Sequence, residues 1–314
     1  MALEQIPEST APEVPIGPPE GPLSTGKAIF WNEREIRAGW RILIYLLLVV
    51  MIGVVEAILA RLLHLPQMTR TNITATSMIV QEATGAIAAL AAAAIMGMLE
   101  ARPFGGYGLP RAAAFGARFW QGAACGIAMI TANIFLIRAF HGFSFGELAL
   151  QGPALWGYAA LWAVGFLCVG FFEEFLFRGY TLFTLATGIG FWPAATALSA
   201  MFGAVHLANG GEDKIGALSV FTIAMFFCLT LRRTGNLWFA VGVHAAFDWG
   251  ETFLFSVPNS GLVAPGHMLN SSFHGPVWLT GGSVGPEGSV MAFVVLGITA
   301  AIFARVFPPA ERSK

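Results

Sequence analysis

Three short stretches of this chain place ionisable side chains at helical spacing. FFEEFLFRGY, residues 171–180, holds Glu173, Glu174 and Arg178; FGAVH holds Phe202 and His206; HAAFD holds His244 and Asp248. On a helix, Glu174 and Arg178 are i, i+4 neighbours and can pair, which leaves Glu173 about 100° around the helix, free to face another group. A carboxylate and an imidazole together can take a proton from water, the work of a general base. Two histidines and a carboxylate can also hold a catalytic zinc with an open fourth position. His206, His244 and Glu173 or Asp248 are the candidate ligands, although the chain has no HExxH. A structural ion pair beside two core histidines is a third reading of the same residues, and spacing alone leaves all three open.

The elements that must position these groups are apolar. The 314 residues are 56% hydrophobic and 11% charged, against roughly 25% charged in soluble domains, and the mean hydropathy is +0.69. The expected fold is therefore all-α, a polytopic membrane helix bundle. Stretches near the roughly 20 residues that a bilayer core requires fall at about 40–63, 75–99, 117–140, 155–186, 191–209, 215–232, 236–256 and 289–307, which predicts about eight transmembrane helices. Residues 1–38 read as a disordered cytoplasmic tail and juxtamembrane segment, and 39–310 as the membrane domain. Twelve of the 17 Lys and Arg flank one side of these spans, including Arg41, Arg102, Arg118 and Arg232. The positive-inside rule then puts both termini in the cytoplasm. A net charge of −1 without a basic surface run excludes a nucleic-acid partner. Cys125, Cys168 and Cys228 lie far apart in apolar runs and are expected to serve packing.

With the turn between the fourth and fifth spans at Gly188–Gly190, Glu173 lies 16 residues before Ile189 and His206 lies 17 after it. At about 1.5 Å per residue the two reach nearly equal depth and can meet across a hairpin. His244 is only about ten residues from its own turn, so a tilted or interrupted helix is needed to bring it level. Glu251, three residues beyond Asp248 on the same face, is either a helper to the site or, as preferred here, a group at the interface.

In order and on separate spans, EExxxR (Glu173, Glu174, Arg178), FxxxH (Phe202, His206) and HxxxD (His244, Asp248) resemble the three motifs of the CPBP group of intramembrane proteases, which includes the CAAX prenyl endopeptidases of the Rce type. The resemblance covers about residues 155–255. RPFGGYGLP and WLTGGSVGPEGS outside it look like segments of bacterial members, which implies a bacterial cytoplasmic membrane. The resemblance implies an endopeptidase in which Glu173 and His206 activate a water, while His244 and Asp248 line the oxyanion site. Glu174 with Arg178 would hold the helix and fix Glu173, with Phe202 in support. The implied partners are the lipid bilayer and a membrane-anchored protein or peptide substrate, prenylated CAAX proteins among them; a divalent metal such as zinc is the cofactor to be weighed. This chain has Asp248 where the prenyl endopeptidases carry Asn, and an ionised Asp can only accept hydrogen bonds. Asp248 is then either protonated or, as preferred here, a carboxylate that orients His244. Two other classes use the same residues: a proton-coupled transporter, for which Glu56 and Glu82 would extend the path, and a non-catalytic scaffold or immunity protein.

Overall fold

Almost every described stretch of this chain that can become a helix does so, and the helix ends carry their expected signals. The structure is a computed structural model that describes residue 30 and residues 36–69 and 73–309; the proposed tail at 1–38 lies almost wholly outside them. Helix α1 (Ala38–Leu62) is apolar nearly all round and leaves Leu47, Val50, Met51, Val54 and Ile58 exposed. A surface of that kind is stable only against lipid. Helix α2 (Ala75–Leu99) opens on a capping box, in which the Thr74 hydroxyl accepts from the Ser77 N–H at 3.1 Å and the Ser77 hydroxyl accepts from the Thr74 N–H at 3.0 Å. Helix α3 spans Ala117–Ala139.

The stretch expected as one helix over 155–186 is two: α4 (Gly152–Arg178) and α5 (Tyr180–Ile189), parted at Gly179. A Cβ at residue 179 would stand 2.4 Å from the Phe175 carbonyl, so only glycine permits the break. Gly190, at φ +84°, then turns the chain into α6 (Phe191–His206). Helix α7 (Lys214–Thr234) starts where Asp213 caps the N–H groups of Ile215 and Gly216, and it stops at left-handed Gly235. Helix α8 (Trp238–Trp249) runs on into a π-helical turn, Gly250–Leu254. After a loop containing the short helix α9 (Val277–Thr280), α10 (Val290–Val306) closes the bundle. The two-residue strands β1 (Phe143–Ser144) and β2 (Ser272–Phe273) pair antiparallel and tie this loop to the end of α3.

Five stretches are long and apolar enough to cross a bilayer, with α4 and α5 together forming one of them. The other three expected spans are shorter helices: α6 with 16 residues, α8 with 12 and α10 with 17. This is a multi-pass integral membrane protein.

Helix α8 is the centre of the bundle, and glycine sets how closely its neighbours approach. Cβ atoms added at Gly122 and Gly126 of α3 would lie 2.1 Å from the Phe239 carbonyl and 2.3 Å from the Val243 carbonyl, and one at Gly242 would lie 2.2 Å from the Phe119 carbonyl. The two backbones are in contact, as in small-residue packing of transmembrane helices. On the opposite flank, Gly170 of α4 lets α8 approach until a Cβ there would be 3.2 Å from the Ala245 nitrogen and 3.4 Å from the His244 Cβ. Another carboxylate ties the far ends of α1, α2 and α5. Glu100 accepts from Arg41 Nε and Nη2 at 2.8 and 2.6 Å and from the hydroxyls of Tyr107 and Tyr180.

Candidate active site

Because Gly170 admits α8 so closely, charged side chains from the last turns of α4 meet His244 in the middle of α8. Glu174, fully buried, uses one oxygen for two partners: Arg178 Nη1 donates to Oε1 at 3.0 Å and His244 Nδ1 donates to the same atom at 3.0 Å. The other imidazole nitrogen of His244, Nε2, lies 3.5 Å from Glu173 Oε2 and 3.5 Å from Asp248 Oδ2. One imidazole therefore stands among three carboxylates, two of them adjacent in sequence on α4 and the third one turn along its own helix.

Helix α8 runs unbroken from Trp238 through His244, and the π-helical turn, Gly250–Leu254, follows it. Turns of this kind concentrate at functional sites because they re-aim side chains without ending the helix. Glu251, within that turn, is fully buried in protein.

Aromatic rings account for the rest of the first motif. The Arg178 guanidinium lies 4.4 Å from the centroid of Phe202 and within 6 Å of Phe177 and Phe227, and among the described residues its Nη2 has no hydrogen-bond partner. The faces of these rings carry the partial negative charge that a buried cation needs. Phe202 thus covers Arg178, and it also meets the His206 ring edge-on at 4.6 Å. Phe227, which no motif marks, stacks on the His244 imidazole at 5.5 Å and 23°. Only its 3.6-residue periodicity on α7 made it visible, as one of many core aromatics.

His206 is placed on the far wall of the same cavity. Its Nδ1–H donates to the Phe202 carbonyl at 2.8 Å. A carbonyl only accepts, so this bond puts the proton on Nδ1 and leaves the Nε2 lone pair available to take another. Among the described residues no hydrogen bond or ion pair joins His206 to Glu173; the imidazole nearest Glu173 is that of His244. The predicted hairpin does bring both residues to one cavity of about 240 Å³, which Glu173, His206, His244 and Asp248 line together with Glu82, Asn259 and Glu287. Glu82 reads as an isolated carboxylate in the sequence, yet α2 delivers it to this cavity.

The Glu174 carboxylate that Arg178 holds also reaches His244. The carboxylate on Nδ1 is Glu174, and Asp248 shares the opposite nitrogen with Glu173. Glu173 and Glu174, about 100° apart around α4, take opposite nitrogens of the one imidazole. Among the described residues no group of three or more His, Cys, Asp or Glu side chains is set to hold a metal ion. The three cysteines are free; Cys228 is buried, and Cys125 and Cys168 are partly buried.

Two further acidic groups lie in loops, Glu287 on the cavity wall and Glu212 just before α7. Removal from water, reinforced by the carboxylates of Glu212 and Asp248, pushes Glu287 up to about 8. Burial likewise raises Glu212 to about 7. Glu287 accepts a hydrogen bond from the Ser260 N–H.

Residues 154–250 match the family model described as Type II CAAX prenyl endopeptidase Rce1-like. The match contains all three motifs, and a domain of that kind is identified over this part of the chain. No curated protein and no solved structure matches the chain.

Proposed function

We propose that this protein is an intramembrane endopeptidase that hydrolyses peptide bonds of membrane-associated proteins or peptides. The observation that carries this reading is the His244 imidazole held among Glu173, Glu174 and Asp248, on the wall of a cavity that also receives His206. A water in the cavity gives one proton to Glu173, with His206 Nε2 as the second acceptor within the site. Its oxygen forms a bond to the peptide carbonyl carbon, and the carbonyl π electrons move to oxygen. His244, doubly protonated, keeps its Nδ1–H on Glu174 and turns its Nε2–H to the new oxyanion. Collapse breaks the C–N bond, and the proton held by Glu173 passes to the leaving amine. Placing this chemistry among apolar helices strengthens each electrostatic contact and gives access to peptide bonds beside a lipid anchor or a membrane span.

The finer reading is a bundle of eight spans with both termini cytoplasmic, in a bacterial inner membrane. The substrates are membrane-anchored proteins or peptides, with prenylated CAAX proteins as one class. The test compares protein N-termini in membranes of cells expressing the native chain or Glu173→Gln at matched levels. New termini that vanish in the Gln variant are the expected result. Identical profiles across the membrane proteome would overturn the reading in favour of a scaffold or a transporter.

A further inference from the structure

The two ends of the bundle differ in charge, and the cavity belongs to one of them. At one end the starts of α1 and α3 meet the ends of α2, α7 and α10. Arg41 of α1 lies 2.6 Å from Glu100 after α2, the Arg118 guanidinium of α3 lies 4.7 Å from the Phe307 ring after α10, and Arg233 of α7 donates to the Phe307 carbonyl at 3.2 Å. Arg102, Arg111, Arg232 and Arg305 stand at this end as well. At the other end the loops 140–151, 207–213 and 255–289 gather, and the described Lys and Arg there are Arg61, Arg138 and Lys214. Basic residues concentrate on the cytoplasmic side of a membrane protein, which makes the loop-bearing end the outer one.

The loops of the outer end line the cavity through Asn209, Asn259, Ser260, Leu262 and Glu287. They are also knitted together: Asn209 donates to the Ser260 carbonyl at 2.9 Å, the Ser283 hydroxyl to the Gly211 carbonyl at 2.9 Å, and Gly261 N–H to the Val284 carbonyl at 2.8 Å. Among the described residues, none from the segments 100–116, 187–191 or 235–237 at the arginine-rich end lines it. One turn toward that end from Glu173, Phe202, Phe227 and His244, the helices are plugged by Phe175, Leu198, Leu231 and Val241, all buried in one cluster, and by the buried Glu174–Arg178 pair. The cavity is thus sealed toward the cytoplasmic end.

Depth and exposure give the way in. His206 closes α6, about 22 Å along the helix from Phe191 at the arginine-rich end. Glu82 lies about 10 Å from the start of α2 at the outer end. In a hydrocarbon core of about 30 Å, both stand in the outer half. Two cavity-lining residues in that half, Gln81 of α2 and Val205 of α6, are exposed on the bundle surface, so the cavity wall reaches the lipid there. We propose that the substrates are held from the non-cytoplasmic side: proteins or peptides anchored in the outer leaflet, or spans that end there, whose cut bond enters sideways between α2 and α6. The inference rests on the endopeptidase reading above and narrows it. A chain prenylated near its C-terminus in the cytoplasm hangs from the opposite leaflet, behind the buried plug.

The test takes two readings from bacterial cells expressing the chain. The side of each end is read with a membrane-impermeant maleimide on intact cells. Residue 210 is exposed, with nothing within 4 Å of a Cβ added there, and residue 112 is exposed at the arginine-rich end. Gly210→Cys should be labelled above the level of the native chain, and Ala112→Cys only once the cells are opened. The substrate side is read by placing each new N-terminus that depends on Glu173 on its parent protein, with the host's own membrane proteins as the probe. These termini should fall at the outer ends of spans or beside outer-leaflet anchors. Labelling that does not favour residue 210 overturns the assignment, and so do termini on the cytoplasmic side, those next to a prenylated Cys among them. If the native chain yields no Glu173-dependent termini, the endopeptidase reading fails and this inference with it. If it yields them on the cytoplasmic side, only the inference falls.

Discussion

Glu173 and Glu174 are neighbours in the chain with opposite surroundings, and substitution should separate them. Glu173 keeps 22% of its side chain exposed in the cavity, whereas Glu174 is fully buried between Arg178 and His244. Glu173→Gln is expected to abolish proteolysis with little effect on thermal unfolding in detergent. Glu174→Gln leaves a buried guanidinium without its counter-charge, and breaking such a pair typically costs about 3–5 kcal/mol. Its melting temperature should fall along with activity; equal melting temperatures for the two variants would contradict the division of labour drawn here. The metal question is also decided by individual side chains. Under glutamate-activated hydrolysis, activity survives dialysis against a chelator. Loss that zinc restores would instead assign His206, His244 and Glu173 as ligands.

The depth at which α8 crosses α4 is set by glycine, and this is where element packing becomes site geometry. Gly126→Val and Gly242→Val insert methyl groups where the α3 and α8 backbones already touch. Overpacking of this kind costs about 1–3 kcal/mol and displaces helices, so both variants should lower thermal stability and also reduce activity by moving His244. Gly53→Val on lipid-facing α1, where nothing lies within 4 Å, should do neither. The contrast can be read from melting curves and from the same N-terminus assay. Helix limits were largely legible in advance: α2 begins and ends where hydropathy places it, and α1, α3, α7 and α10 fall within two residues of expectation. The break at Gly179 was not legible, because an isolated glycine in an apolar run is compatible with a continuous helix until Phe175 is packed beneath it.

Across the folded chain, two loop carboxyls link stability to pH. Glu287 and Glu212 titrate at about 8 and about 7 in the folded protein, against 4.5 for an ordinary glutamate. The folded state then binds more protons than the unfolded state through this window, and stability falls as pH rises. The contribution is fully present below the unfolded value and is lost as pH climbs through the folded ones. Melting temperature should therefore decline from about pH 5 to pH 8, and Glu287→Gln should flatten part of that slope. A slope of opposite sign would mean that these carboxyls are ionised in the fold.

The composition and the local spacings settled the helical membrane character of the chain and the pairing of Glu174 with Arg178, because both depend on residues within a few turns of one another. They also marked His206, His244 and Asp248, since i, i+4 spacing is a property of the helix itself. What only the packed bundle decided was which groups meet across 70 or more positions: that Glu174 holds His244, that Glu82 from α2 and Asn259 from a distant turn enter the same cavity. Those contacts depend on crossing depth and rotation of whole helices, which glycine contacts and a π-helical turn fix only once all the partners are in place.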